Sequence, residues 1–87
     1  MAYFVYILQS DLDRSYYKGF TENYSERLKQ HNSGFSIYTS RKTPWKLLHV
    51  EEHALKANAL KREKNLKKAT KERIEALIKS TKNLLKV

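Results

Sequence analysis

Arg27 and His31 stand four residues apart in "ENYSERLKQHNSG" (22–34). On a helix that spacing puts both side chains on one face. The planar guanidinium of Arg27 offers a fork of donors matched to a phosphate. The imidazole of His31 can move a proton near neutral pH. A plainer reading stands beside this one: Arg27 as an ordinary surface residue and His31 as a favourable partner for the helix C-terminus. Tyr6, Tyr16 and Tyr17 lie on the hairpin that precedes this segment. They bring phenol groups, but tyrosine also packs well in strands.

A carboxylate supplies the third element. In "ALKANALKREKNLKK" (54–68), a helical wheel at ~100° per residue groups Leu55, Leu66 and Ala59 at roughly 0°, 20° and 40°, with Leu60 near ~140°. Glu63 falls near ~80°, inside that apolar span. A carboxylate on a packing face is costly unless it is paired or bound to a cation. An ion pair to Arg62, Lys67 or another base therefore competes with a metal-binding or catalytic role.

These groups need elements to position them. "AYFVYILQ" (2–9) is apolar on both alternating faces, with Tyr3, Val5 and Ile7 on one and Phe4, Tyr6 and Leu8 on the other. That pattern predicts a strand covered on both sides, in the middle of a sheet. "SDLDRS" (10–15) is a polar turn and "YYKGF" (16–20) a second strand, so the pair reads as a hairpin. Gly19 marks a place where another group comes close. Asn23 with Glu26 three residues on is a capping signal, and Gly34 suits a left-handed helix end. Tyr24 and Leu28 supply the inward stripe. Residues 35–44 read as a long basic connection and 45–51 as a third strand, with Trp45, Leu47 and His49 alternating against Leu48 and Val50. Two helices follow, over 54–68 and 70–86, the second capped by Thr70. The order β-β-α-β-α-α predicts an α+β fold, a three-stranded antiparallel sheet flanked by helices. One domain over 1–79 is expected, with 80–87 as a helical extension or tail.

Composition narrows the partner. Eighty-seven residues suffice for one domain with a small core. The chain has no cysteine, which excludes disulfides and thiolate metal sites and fits a cytoplasmic location. No apolar run approaches the ~18 residues of a membrane span, and "MAYFVYILQS" lacks the basic start and cleavage site of a signal peptide. No membrane partner is expected. The net charge is +9, and residues 56–87 carry nearly all of it, with eleven Lys and Arg against three acids. Such a concentration favours a polyanion, nucleic acid before an acidic membrane surface.

Together these residues resemble the GIY-YIG nuclease superfamily, in particular its small stand-alone bacterial members. "VYI" (5–7) stands at the first motif, with Tyr6 on its tyrosine. "YKG" (17–19) stands at the second, with Tyr17 and Gly19 matching. Arg27 falls at the helix arginine, His31 at a histidine found in several members, and Glu63 at the single metal-binding glutamate. The stretches "YTSRKTPWKLLHVEE" and "ALKREKNLKK" also resemble the small members, and the likeness spans about residues 3–79. Val5 replaces the first motif's glycine and Lys18 the second motif's isoleucine. Glu75 stands where many members carry an asparagine, with Asn83 the nearest alternative.

The resemblance implies hydrolysis of DNA, or of RNA, with one divalent ion, Mg²⁺ or Mn²⁺, held by Glu63. Arg27 would neutralise charge growing on the phosphoryl oxygens. Tyr6, Tyr17 or His31 would orient or deprotonate the attacking water, and the sequence leaves that choice open. Lys18, Thr39, Arg41, Lys42 and Lys46 would grip the backbone without reading bases. The substrate preference implied is structural or non-specific. An alternative is a nucleic-acid-binding module of the same fold with weak or no catalysis. A more distant one is a protein-interaction domain that docks through Leu84 and Leu85.

Overall fold

The structure is a computed structural model; it describes residues 2–34, 37–80 and 82–85. The elements run β1 (Tyr3–Ser10), β2 (Tyr16–Thr21), α1 (Tyr24–Asn32), α2 (Ile37–Ser40), β3 (Trp45–His53), α3 (Lys56–Lys67) and α4 (Lys71–Ile78). The sheet is antiparallel in the order β2-β1-β3. The expected class and element order are both present, with α2 as an addition inside the stretch read as a connection.

The double-sided apolar pattern of β1 explains its central place. Val5 and Ile7 face one layer, where they pack with Ala59 and Leu66 of α3 and Ile74 of α4. Tyr6 and Leu8 face the other, with Trp45 and Val50, under Tyr24 and Leu28 of α1. Buried aliphatic anchors of this kind each stabilise a fold by about 1.5–3 kcal/mol. Leu66→Ala would remove a contact under both C-terminal helices, at a cost of about 2–5 kcal/mol.

Caps set the helix starts. The Asn23 side chain accepts a hydrogen bond from the Glu26 amide at 3.2 Å, and the Thr70 hydroxyl from the Arg73 amide at 3.3 Å, each satisfying an otherwise orphaned donor. Past the end of α1, Gly34 takes a positive φ of 81°, which costs glycine little. The side chain of Asn32, the last residue of α1, donates to the Trp45 carbonyl and accepts from the Trp45 amide at 2.6 Å. This clamp ties α1 to the start of β3.

Three expectations are corrected. The phase of β3 does not run unbroken: Ile7 pairs with His49 but Leu8 with Leu47. Leu48 is the extra residue of a bulge, which moves every later side chain to the opposite face. Val50 therefore joins Leu47 and Trp45 on the Tyr6 face, while His49, Glu51 and His53 face α3. On α3, Leu55 and Leu60 are exposed rather than packed, because Leu55 is the N-cap and the buried stripe is only Ala59 and Leu66.

The last helix ends at Ile78 instead of running to 86. Asn83 stops the chain from continuing as a helix. Its amide donates to the carbonyls of Leu48 and Ile78 at 2.8 and 2.9 Å, and its oxygen accepts from the amides of Val50 and Leu85. The Leu84 amide donates to the Val50 carbonyl. The segment thus covers the open edge of β3, and Leu85 packs into the core rather than waiting for a partner.

Candidate active site

The register of the hairpin sets the centre of the site. Tyr6 pairs directly with Gly19, and the missing side chain at 19 is the space that the Tyr6 ring fills. A Cβ at that position would collide with Cζ and Oη of Tyr6. Any other residue would displace the ring, so the close approach anticipated at Gly19 is that of a tyrosine from the neighbouring strand.

Tyr6 is almost fully buried, and its hydroxyl meets groups from three other elements. His31 Nε2 lies 2.9 Å from Oη. Arg27, one turn earlier on α1, donates from Nη1 to Gln30 at 2.9 Å and acts on the phenol from close by, as do Tyr17 and Glu63. Burial pushes the Tyr6 hydroxyl up to about 12; Arg27 pulls in the opposite direction, and Tyr17 and Glu63 add to the rise. The group is therefore a phenol, not a phenolate, at neutral pH.

His31 is completely buried. Its Nδ1 lies 2.7 Å from Oγ1 of Thr39. Burial, followed by the nearby charge of Arg27, lowers the ring to about 4, so the imidazole is neutral. A neutral ring has one donor and one acceptor nitrogen, so His31 donates to one of the two hydroxyls, Tyr6 Oη or Thr39 Oγ1, and accepts from the other.

This geometry corrects the expectation for Thr39. Grouped with the backbone-gripping residues, it is in fact buried. Its hydroxyl orients His31, and its carbonyl accepts from the Trp45 indole at 2.9 Å. No local sequence signal marks that role, because it depends on α2 folding back over α1. The other members of that group lie at the surface. Lys18 is half-buried and Arg41 exposed. Lys42 pairs with Asp13 at 3.3 Å and Lys46 with Asp11 at 3.9 Å. Each of these two bases is thus countered by an aspartate of the β1–β2 turn, through pairs weak enough to yield to a phosphate.

Glu63 lies on the inner side of α3, with its side chain 20% exposed. Lys67, one turn on, is its ion-pair partner at 3.8 Å, too long for a hydrogen bond. Arg62, the other partner considered, turns away. Its Nε and Nη2 form a fork on Glu51 at 2.8 and 2.9 Å. His49 Nε2 approaches the same carboxylate at 2.7 Å. Burial pushes Glu51 up, but the bonds from His49 and Arg62 outweigh it and hold the carboxyl at about 2. Sequence reasoning missed this cluster. The alternation His49, Glu51, His53 was visible only after the bulge set its phase.

Tyr17 completes the cluster. Its ring is 6.4 Å from that of Tyr6, 5.0 Å edge-on from His31 and 6.2 Å from Trp45. β2 is an edge strand, so groups from both faces of the sheet meet along it. Tyr16, Tyr17 and Lys18 of β2, Tyr38 of α2 and Lys67 of α3 line a cavity of about 420 Å³ there. Glu75 acts on Tyr16: burial raises that phenol first, and the Glu75 charge adds to it. Asn83 is committed to the β3 edge and stands apart from the cluster.

The structure thus brings Tyr6, Tyr17, Arg27, His31 and the charge of Glu63 together, and leaves Arg41, Lys42 and Lys46 on an outer rim. A neutral phenol–imidazole pair beside a guanidinium and a loosely held carboxylate can orient water and meet an anionic ester. Residues 2–83 match the GIY-YIG catalytic domain. A UPF0213 protein of Syntrophus aciditrophicus is 40% identical over 78 residues, 87% of this chain and 88% of that protein. A UPF0213 protein of Natronomonas pharaonis is 38% identical over 78 residues, covering 85% and 91%. The solution NMR structure of UPF0213 protein BH0048 from Bacillus halodurans superposes with a TM-score of 0.60 at 30% identity, over 94% of this chain and 87% of that one. With its motif tyrosines, arginine and glutamate gathered around one hydroxyl, this chain belongs to the GIY-YIG family.

Proposed function

We propose that this protein is a divalent-metal-dependent nuclease that hydrolyses phosphodiester bonds, of DNA first, without reading base sequence. One observation carries the reading: the Tyr6 hydroxyl, on β1, is the meeting point of Arg27, His31, Tyr17 and the Glu63 charge, contributed by three further elements. Packing alone would not require a guanidinium and a half-open carboxylate beside a buried phenol.

The donor set suits a hard cation. Glu63 is partly exposed and not hydrogen-bonded to its one ion-pair partner. Among the described residues no group of three or more His, Cys, Asp or Glu gathers to form a closed site. A single carboxylate with water in the remaining positions is what Mg²⁺ or Mn²⁺ tolerates. Held by Glu63, such an ion would supply Lewis-acid polarisation of a phosphate oxygen.

The chain's own residues do the rest. Arg27 places its fixed positive charge where phosphoryl oxygens gain negative charge. Tyr6 Oη, held by His31 beside Arg27, orients the attacking water; with Nε2 of His31 unprotonated, the phenol proton is directed at that nitrogen. A neutral imidazole can receive that proton as Tyr6 takes one from water. In that tautomer the Nδ1 proton is donated to the Thr39 hydroxyl, 2.7 Å away. The exposed lysines of α3, Lys56, Lys61, Lys64 and Lys67, with Lys68 at its C-cap, give the electrostatic hold, with a steep loss of affinity in salt.

The test is incubation of supercoiled plasmid and branched DNA with Mg²⁺ or Mn²⁺. Cleavage that Glu63→Gln abolishes while binding persists supports the enzyme. Binding without cleavage across both metals and all substrates would leave the second reading, a binding module. The high position of the Tyr6 phenol, about 12, and Glu75 in place of an asparagine favour that second reading.

A further inference from the structure

The cavity on the edge of β2 has a use that the phosphodiester chemistry does not require. Its mouth carries Tyr38, an aromatic side chain 74% exposed. Tyr38 is not isolated. Its ring centroid lies 5.7 Å from that of Tyr17, and Tyr17 rests against His31 and the buried Trp45. The aromatic chain is therefore fixed from inside and open at its outer end.

The walls are phenols and cations. Tyr16, Tyr17 and Tyr38 supply flat apolar faces with polar tips, and Lys18 and Lys67 supply positive charge. At about 420 Å³, the space falls within the roughly 300–1,000 Å³ of pockets that take small planar ligands. It also adjoins the reactive groups: Tyr17 belongs to both, and Lys67 bridges from the cavity to the Glu63 carboxylate.

We propose that this cavity receives an unpaired nucleobase beside the scissile phosphate, stacked on Tyr38, with Lys18 and Lys67 on the flanking phosphates. The preferred substrate is then a strand out of its duplex, as in a flap, gap, loop or single strand. The inference rests on the phosphodiester reading and sharpens it to a substrate class. The physical reason is that a base inside a duplex has both faces covered by its neighbours. An aromatic platform gains nothing from it, whereas an unpaired base offers a free face to any tyrosine. Stacking also tolerates all four bases, which agrees with the proposal of cleavage without base reading.

Binding in a chelating buffer, with no divalent ion and hence no cleavage, tests this. The probes are a short DNA strand carrying one 2-aminopurine and the same strand paired into a blunt duplex. Because Tyr38 is at the surface, Tyr38→Ala and Tyr38→Phe are both expected to fold, which circular dichroism checks. The expected result is about a tenfold loss of single-strand affinity in Tyr38→Ala, retention in Tyr38→Phe, and no change for the duplex. The 2-aminopurine fluorescence is quenched by wild type and by Tyr38→Phe but not by Tyr38→Ala. Equal single-strand affinity in wild type and Tyr38→Ala overturns the inference, as does an equal loss on the duplex, which would make Tyr38 a backbone contact. Those results leave the nuclease reading intact. Failure of the wild-type protein to bind either probe at low salt would remove both.

Discussion

Helix α3 offers two adjacent residues to two different environments. Arg62 turns toward β3, where it and His49 saturate Glu51, a carboxylate almost fully buried. Glu63, about 100° further round the helix, faces the tyrosine cluster with only a long contact to Lys67. Both are carboxylates on inner faces of the same small domain. Glu51 has its charge balanced by three hydrogen bonds of good length, so it has little capacity left for a ligand. The other keeps its oxygens partly open beside groups suited to a phosphate. The contrast separates a structural ion pair from a site by unspent hydrogen-bonding capacity, not by burial.

The largest effects should separate these two carboxylates cleanly. Glu63→Gln should lower cleavage by about 10³-fold or more, around 4 kcal/mol at ~1.36 kcal/mol per tenfold. It should leave the urea midpoint close to wild type. Glu51→Ala should do the reverse, costing about 3 kcal/mol of stability by leaving the part-buried Arg62 guanidinium and the buried His49 without their partner. A denaturation series on both variants checks this; a collapse of Glu63→Gln in urea would mean that its carboxylate is structural after all.

Next in size is the acid limb of stability, which should show two steps. His31 is held at about 4. Its neutral ring therefore contributes fully above the ordinary value of 6.5, and that contribution is lost as pH falls toward 4. Glu51 is held at about 2, so its contribution is complete above 4.5 and is lost between there and pH 2. Each step amounts to on the order of 3 kcal/mol. Chemical denaturation across pH 7 to 2 should show the upper step vanish in His31→Asn and the lower one in Glu51→Gln. Loss of both steps in one variant would mean that the two faces of the sheet titrate as one unit.

A smaller change tests the packing of the site itself. Gly19→Ala should cost about 1–3 kcal/mol, because the Tyr6 ring must leave its place over β2. It should also lower cleavage more than its stability loss explains, since Oη moves away from His31. Measuring both at the same temperature, well below the melting range, distinguishes the two effects. The smallest change expected is at the rim. Lys42→Ala should alter stability by less than ~1 kcal/mol, its partner Asp13 being an exposed turn residue. It should reduce the salt slope of DNA binding by about one unit.

Much of the frame was legible along the chain. The two-faced apolar run in β1, the Asn23 and Thr70 caps and the i, i+4 spacing of Arg27 and His31 depend on neighbours within a turn or a strand. The features that were not legible depend on partners distant in sequence. Thr39 reads as a polar residue of a basic loop until α2 places it on His31. Asn83 reads as part of an amphipathic helix until its side chain meets the edge of β3. His49 reads as a partner of Leu47 until one extra residue in β3 reverses the face.

The amino-acid sequence alone determined the identity and order of every element except α2, and the presence of one carboxylate among apolar positions, because periodicity and capping are local. Only the tertiary structure decided which base pairs with which acid. A buried charge takes the best-placed donor in space, and here Glu51, delivered by β3, met Arg62 first and left Glu63 free to face the tyrosines.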